Sequence, residues 1–341
     1  MNKFQKVMVG ALAAVVMTGA TVAKAGVSLN GAGATFPYPI YSKWFYEYNK
    51  SNGTAINYQS IGSGGGIQQL TAGTVDFGAS DAPMTDEQIA KVKQGVVHFP
   101  TVAGAVAIAY NVPGVDKGLK LDSKTLVGIF NGSITKWNDP AIADMNSGMT
   151  LPDLNITVAH RSDGSGTSNI FTNYLSKVDS GWASSVGFGT AVKWPVGNGG
   201  KGNEGVAGLI QQIPGCVGYV ELAYAVKNKL PYAVMKNRSG NFVEPSVEST
   251  TAAAEGALKH MPGDFRVMIT NAPGENAYPI CGFTWLLIYR NYSDNATGKA
   301  VTDFLQWYLV NGESMAADLY YAPLPGSMIE KVKAKISQVK F

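Results

Sequence analysis

Three segments of this chain share one plan: an apolar run, a turn of glycine and hydroxyl residues, then a helical pattern. They are Gly31–Tyr38 (GAGATFPY) running into PIYSKWFYEYNK, Ser60–Gly66 (SIGSGGG) running into IQQLTAG, and Arg161–Ser168 (RSDGSGTS) running into NIFTNYL. Ala55–Ser60, Val75–Ala79 and Asn155–His160 read as strands. Val97–Tyr110 is a long Val- and Ala-rich stretch suited to strands covered on both faces. Strand–turn–helix alternation of this kind predicts α/β lobes with largely parallel sheets.

Each helix start exposes unpaired backbone N–H groups at the positive end of a helix dipole. Hydroxyls at Thr35, Ser63, Ser165 and Thr167 add donors, and glycines let the backbone approach a ligand closely. Together these make anion sites that need no lysine. One such turn usually does no more than cap its own helix, and Ser63 is the natural N-cap candidate of the second. Three in one chain, one of them carrying Arg161, point to a ligand. Arg161 supplies a planar fork suited to a tetrahedral oxyanion, and Asp163, two residues on, is placed to hold it. Asp81, in FGASDAPM, ends an apolar strand before Pro83 and by itself reads as a cap for a helix beginning near Met84–Glu87.

Other chemistries find little support. Gly197–Gly205 (GNGGKGNEG) resembles a phosphate loop, but Gly202 follows Lys201 where Ser or Thr is required. Ile61 and Asp163 stand where a G-x-S-x-G nucleophile turn around Ser63 or Ser165 needs glycine. His98, His160 and His260 are far apart, so neither a zinc site nor any other metal is expected, and no cofactor. His160, beside Arg161 in a strand, is expected to point away from any ligand.

Residues 1–25 read as a cleavable secretory signal: Lys3 and Lys6, an apolar run, then Ala23-Lys24-Ala25. The chain carries 27 Lys+Arg and 24 Asp+Glu, and removing Lys3, Lys6 and Lys24 leaves 24 of each sign. A neutral remainder argues against nucleic-acid binding, so an anion would have to be held by local geometry. Cys216 and Cys281 would form one disulfide in an oxidising compartment or remain two buried thiols. Ser327–Lys340 reads as an amphipathic terminal helix with a solvated lysine face.

At GAGATFP, SIGSGGG, DFGASDAPM and RSDGSGTS the sequence closely resembles the periplasmic phosphate-binding proteins of bacterial phosphate-specific ABC transporters. The resemblance continues through VKWPVGNGGKGNEGVAG and PGCVGYVELAYA. It implies a two-lobed periplasmic binding protein fold of type II, with the ligand cleft between lobes joined by crossover strands. Lobe I would be residues 26–104 and 283–341, and lobe II residues 105–282. It implies phosphate contacts from Thr35, Phe36 through its backbone, Ser63, Asp81, Arg161, Ser165, Gly166 and Thr167, with Asp163 pairing Arg161. It further implies a monomer in the periplasm, handing inorganic phosphate to membrane permease subunits, which link it as a partner to their ATPase. A sulfate binder is the alternative within this class. A secreted phosphatase or esterase using Ser63 or Ser165 is the alternative outside it, but the sequence offers neither base nor metal for it.

Overall fold

The computed structural model describes residues 27–258 and 261–341; the expected signal segment at residues 1–25 and His260 lie outside them. In chain order the first elements are β1 (Ser28–Gly33), α1 (Tyr38–Asn52), β2 (Ala55–Ser60), α2 (Ser63–Ala72), β3 (Phe77–Ser80), α3 (Asp86–Ala90) and β4 (Val96–Asn111). Next come β5 (Lys120–Leu121), α4 (Ser123–Asn131), α5 (Pro140–Ala143), β6 (Thr157–Arg161), α6 (Gly166–Val178), α7 (Ser180–Ser185), β7 (Asn198–Gly200) and α8 (Gly202–Gln212). The chain closes with β8 (Cys216–Glu221), α9 (Leu222–Lys227), β9 (Val234–Lys236), β10 (Phe242–Val243), α10 (Val247–Ala257), β11 (Cys281–Tyr289), α11 (Asn295–Trp307) and α12 (Gly326–Lys335).

Eight strands form one sheet in the order β2-β1-β3-β11-β4-β8-β6-β7. Its flanks are parallel, β1 with β2 and β3, and β6 with β7 and β8. Its centre is antiparallel, because β4 and β11 cross the sheet in opposite senses. The expectation of largely parallel sheets therefore holds only for the flanks. β4 is continuous, and every residue but Asn111 is buried, as its Val, Ala and Gly content requires of a strand covered on both faces. Val96–Ala105 pair with β11 and Val106–Asn111 with β8, so one strand serves both halves.

Two turns need glycine's freedom. Gly33 ends β1 at φ 148°, where a Cβ would lie 2.0 Å from the Ala79 carbonyl oxygen. Gly64 and Gly164 approach so closely that a Cβ on either would come within 3.0 Å of the other's Cα, and the Gly64 N–H donates to the Gly164 carbonyl at 2.8 Å. That contact joins the two halves of the sheet directly.

Helix α1 buries Tyr41, Trp44, Phe45 and Tyr48; Trp44 stacks on Tyr308 at 5.2 Å and donates from Nε1 to the Gly312 carbonyl. The expected terminal helix is α12, which buries Met328 and Val332 and leaves Lys331 and Lys333 outward, while Lys335 packs over the Phe265 ring at 4.8 Å. Among the described residues no helix is long and apolar enough to cross a membrane.

Cys216 and Cys281 are both buried and free. They flank β4 on opposite sides, Cys216 opposite Asn111 and Cys281 opposite Ala105. Six strand residues are about 20 Å, far beyond the ~4.4–6.8 Å between Cα atoms that a bridge tolerates. Burial pushes both thiols up to about 12. Native protein should therefore leave a thiol reagent unreacted, and guanidinium-unfolded protein without reductant should release both thiols. Finding neither thiol after unfolding would mean a disulfide and a different register around β4.

Candidate functional site

The site forms where the parallel strands of both halves end. Thr35 and Phe36 follow β1, Ser63 opens α2, and Asp81 follows β3. Arg161 is the last residue of β6, Ser165 is the N-cap of α6, and Gly166 and Thr167 are its first two residues. All eight are buried. Gly166 sits so close to the other half that a Cβ on it would lie 2.4 Å from both Asp81 Oδ2 and Ser63 Oγ. The turns that are far apart in sequence thus converge on one point. Phe36 contributes only backbone there, since its ring is packed against Tyr321.

Hydroxyl roles follow from their partners. Ser165 Oγ accepts from the Ser168 N–H at 3.0 Å, which leaves its own proton free to donate. Ser63 is not the N-cap of α2. Gly62 takes that position at φ 89°, and Ser63 Oγ instead accepts from the Asp81 N–H at 3.1 Å and reaches Asp81 Oδ2 at 3.4 Å. The pull of the Asp81 turn outweighs local capping.

Arg161 has its side chain 1 % exposed and is gripped by Asp163 through two bonds, Nε to Oδ1 at 2.8 Å and Nη2 to Oδ2 at 2.5 Å. Nη1 donates to Thr167 Oγ1 at 3.3 Å. The Arg161 N–H donates to the Tyr219 hydroxyl, which also bonds Ser168 Oγ at 2.6 Å. Burial acts to raise the Asp163 carboxyl, but the hydrogen bonds and charge of Arg161 and the Gly202 N–H outweigh it and hold it below its usual value. His160 points away as expected, its ring stacked on Trp194 at 4.9 Å.

Asp81 caps no helix. The helix after it, α3, is capped by Thr85 in a capping box with Gln88. Asp81 is 1 % exposed, and its Oδ1 accepts from the Thr284 hydroxyl at 2.9 Å. Burial pushes the carboxyl up to about 7, against the lowering effects of Thr284, Arg161 and Ser63.

Sequence reasoning missed Thr284, Gly202, Asn203 and Tyr224. The Gly202 N–H donates to Asp163 Oδ1 at 2.9 Å, and Asn203 Nδ2 donates to Thr35 Oγ1 at 2.7 Å and to Thr167 Oγ1 at 3.2 Å. The Tyr224 hydroxyl donates to the Thr35 carbonyl at 2.6 Å. The one available signal was GNGGKGNEG, which fails as a lysine-centred phosphate loop yet delivers Gly202 and Asn203 to the site. Among the described residues no group of three or more His, Cys, Asp or Glu side chains is placed to hold a metal.

The Asp81 carboxyl, near 3.9 in an unfolded chain, is raised to about 7 in the fold. The native protein then keeps a proton that the unfolded chain has released, so this group costs stability as pH rises from about 4 to about 7 and adds no further cost above that. Asp81→Asn should remove that slope. In urea unfolding of ligand-free protein, the mutant should gain on wild type between about pH 4.5 and pH 7.5. A stability difference that does not change with pH would mean that Asp81 ionises normally in the fold.

A model of the PBP superfamily domain matches residues 18–311. The phosphate-binding protein PstS of Xylella fastidiosa (strain Temecula1) is 48 % identical over 309 residues, covering 90 % of this chain and 84 % of that protein. The PstS of Haemophilus influenzae is 47 % identical over 310 residues, covering 90 % and 92 %. Among solved structures, a high-affinity periplasmic phosphate-binding protein (PfluDING) bound with phosphate superposes with a TM-score of 0.74 at 23 % identity, covering 91 % of this chain and 94 % of that one. At that identity the superposition speaks for the fold, which is the two-lobed α/β fold of type II periplasmic binding proteins. By its matched length and its identity to these relatives, the chain belongs to the PBP superfamily and, within it, to the PstS phosphate-binding proteins.

Proposed function

We propose that this chain is a periplasmic solute-binding protein that captures inorganic phosphate and delivers it to the permease of an ABC transporter, without turning it over. The observation that carries the reading is the company Asp81 keeps. In its ionised form, a buried carboxylate beside Arg161 and the hydroxyls of Ser63, Ser165, Thr35 and Thr167 suits an oxyanion only if that oxyanion brings a proton. Near neutral pH inorganic phosphate keeps at least one P–OH, and sulfate has none. Asp81 would accept a charge-assisted bond from phosphate and repel sulfate. Thr35, the Phe36 backbone, Ser63, Arg161, Ser165, Gly166 and Thr167 would hold the remaining oxygens.

Lobe I is taken as residues 26–104 and 283–341 and lobe II as residues 105–282, residues 1–25 being the export signal and the exported protein a monomer. The change of β4 from β11 to β8 between Ala105 and Val106 supports that division. Phosphate would then bridge the lobes and favour their closure. Against esterase chemistry, Ser63 Oγ is engaged by the Asp81 turn and Ser165 Oγ by its own helix, neither by a histidine among the described residues.

Two measurements test this. Arg161→Ala removes one side of a buried charged contact, which typically costs ~2–5 kcal/mol, about 30- to several-thousand-fold in phosphate affinity by calorimetry. Arg161→Lys should also lose much of the binding, because a point charge cannot reproduce the fork. Unchanged affinity would take Arg161 out of the site. Asp81→Asn, whose amide either accepts or donates, should keep appreciable phosphate binding while sulfate binding becomes measurable in a competition titration. An unaltered phosphate-to-sulfate preference would refute the selectivity account.

A further inference from the structure

Asn203, the second residue of α8, is fully buried and uses every polar group of its side chain. Its Oδ1 accepts from the Glu221 N–H at 2.9 Å. A backbone N–H can only donate, so this bond fixes which way the amide faces and turns Nδ2 toward the site. Nδ2 carries two protons and has two acceptors, Thr35 Oγ1 at 2.7 Å and Thr167 Oγ1 at 3.2 Å. These two threonines come from opposite halves of the sheet.

The consequence lies in the threonines. Thr35 Oγ1 receives the Asn203 amide and also the Asn203 backbone N–H at 3.2 Å. Thr167 Oγ1 receives the Asn203 amide and Arg161 Nη1 at 3.3 Å. A hydroxyl has two lone pairs and one proton. With both lone pairs occupied by donors, each threonine has only its proton left to offer, and it can only donate.

We propose that Asn203 is a positioning and specificity-determining residue of the anion site: by saturating the lone pairs of Thr35 and Thr167 from α8, it obliges both hydroxyls to donate to the bound anion and ties their two lobes together around it. This rests on the phosphate-binding reading and adds a residue to it. Asn203 does not itself contact the ligand; it sets the polarity of the groups that do.

The test is phosphate calorimetry on the exported, phosphate-stripped protein, with unfolding midpoints measured in parallel. Wild type must first bind phosphate; if it does not, the functional reading fails before this one is reached. Asn203→Asp keeps the shape but replaces the two donated protons of Nδ2 with a single acceptor oxygen, which would turn both threonine protons away from the anion. It should therefore bind phosphate more weakly than Asn203→Ala, itself roughly 10- to 100-fold weaker than wild type, the loss of a charge-assisted bond. A residue needed only for packing gives the reverse order, with the near-isosteric Asp milder than Ala. In a Thr35→Val background, where one of the two hydroxyls is gone, the Asn203→Ala factor should shrink severalfold. Full additivity, or Asp milder than Ala, overturns the proposal. If the alanine variant folds poorly, Asn203→Ser, too short to reach both hydroxyls, supplies the same comparison.

Discussion

The paired bond between Arg161 and Asp163 is the constraint on which the site depends. It lies at the end of β6, with the guanidinium buried, and Asp163 answers it with both oxygens while also accepting the Gly202 N–H. The pair therefore sets three things together: the plane of the guanidinium, the turn leading into α6, and the start of α8. Such a pair is weak evidence for stability, because desolvating two charges cancels most of their attraction. What it gives here is position. With two of its nitrogens held by Asp163, Arg161 has Nη1 left to face Thr167 and the site.

Charge accounting then explains why so many neutral donors surround it. Arg161 is balanced by Asp163, and Asp81 adds a second carboxylate within the same buried region. The chain beyond residue 25 is neutral overall, so no bulk field draws an anion in. Attraction has to come from hydroxyls and from helix starts, chiefly α6, whose first residue, Gly166, lies against Asp81 and Ser63. A site built this way ranks ligands by protonation and shape more than by charge, because each fixed donor or acceptor that a ligand fails to match is left buried and unpaired.

Much of this was legible in the sequence wherever the cause was local. The glycine–hydroxyl turns announced themselves because capping and close approach are decided within a few residues, and the long Val/Ala run was readable as a doubly covered strand. What stayed hidden was set by distant parts of the chain. Thr284 meets Asp81 across 203 residues, and Asn203 meets Thr35 across 168. The antiparallel centre follows from β4 and β11 crossing in opposite senses, a topological fact with no local signature. Ser63 shows the converse failure. A rule of local capping assigned it to its own helix, whereas the Asp81 turn claims its hydroxyl and Gly62 starts the helix instead.

The ties between the two halves bear on how such a protein would release what it holds. Besides any ligand, the halves are joined directly by Gly64 N–H to the Gly164 carbonyl, by Asn203 to Thr35, and by the Tyr224 hydroxyl to the Thr35 carbonyl. A further tie lies away from the site, where Arg266 bonds the Met84 carbonyl at 2.9 Å and Asp86 at 2.7 Å. These contacts favour closure whether or not an anion is bound. A ligand shifts the balance only by its own differential contact with the closed form. Because Thr35 takes bonds from both Asn203 and Tyr224, opening must break them together at one residue of the proposed anion site. If Thr35 holds the anion as proposed, prising the halves apart there weakens the grip on the ligand in the same movement, and a partner that binds the open form would promote release without touching the anion.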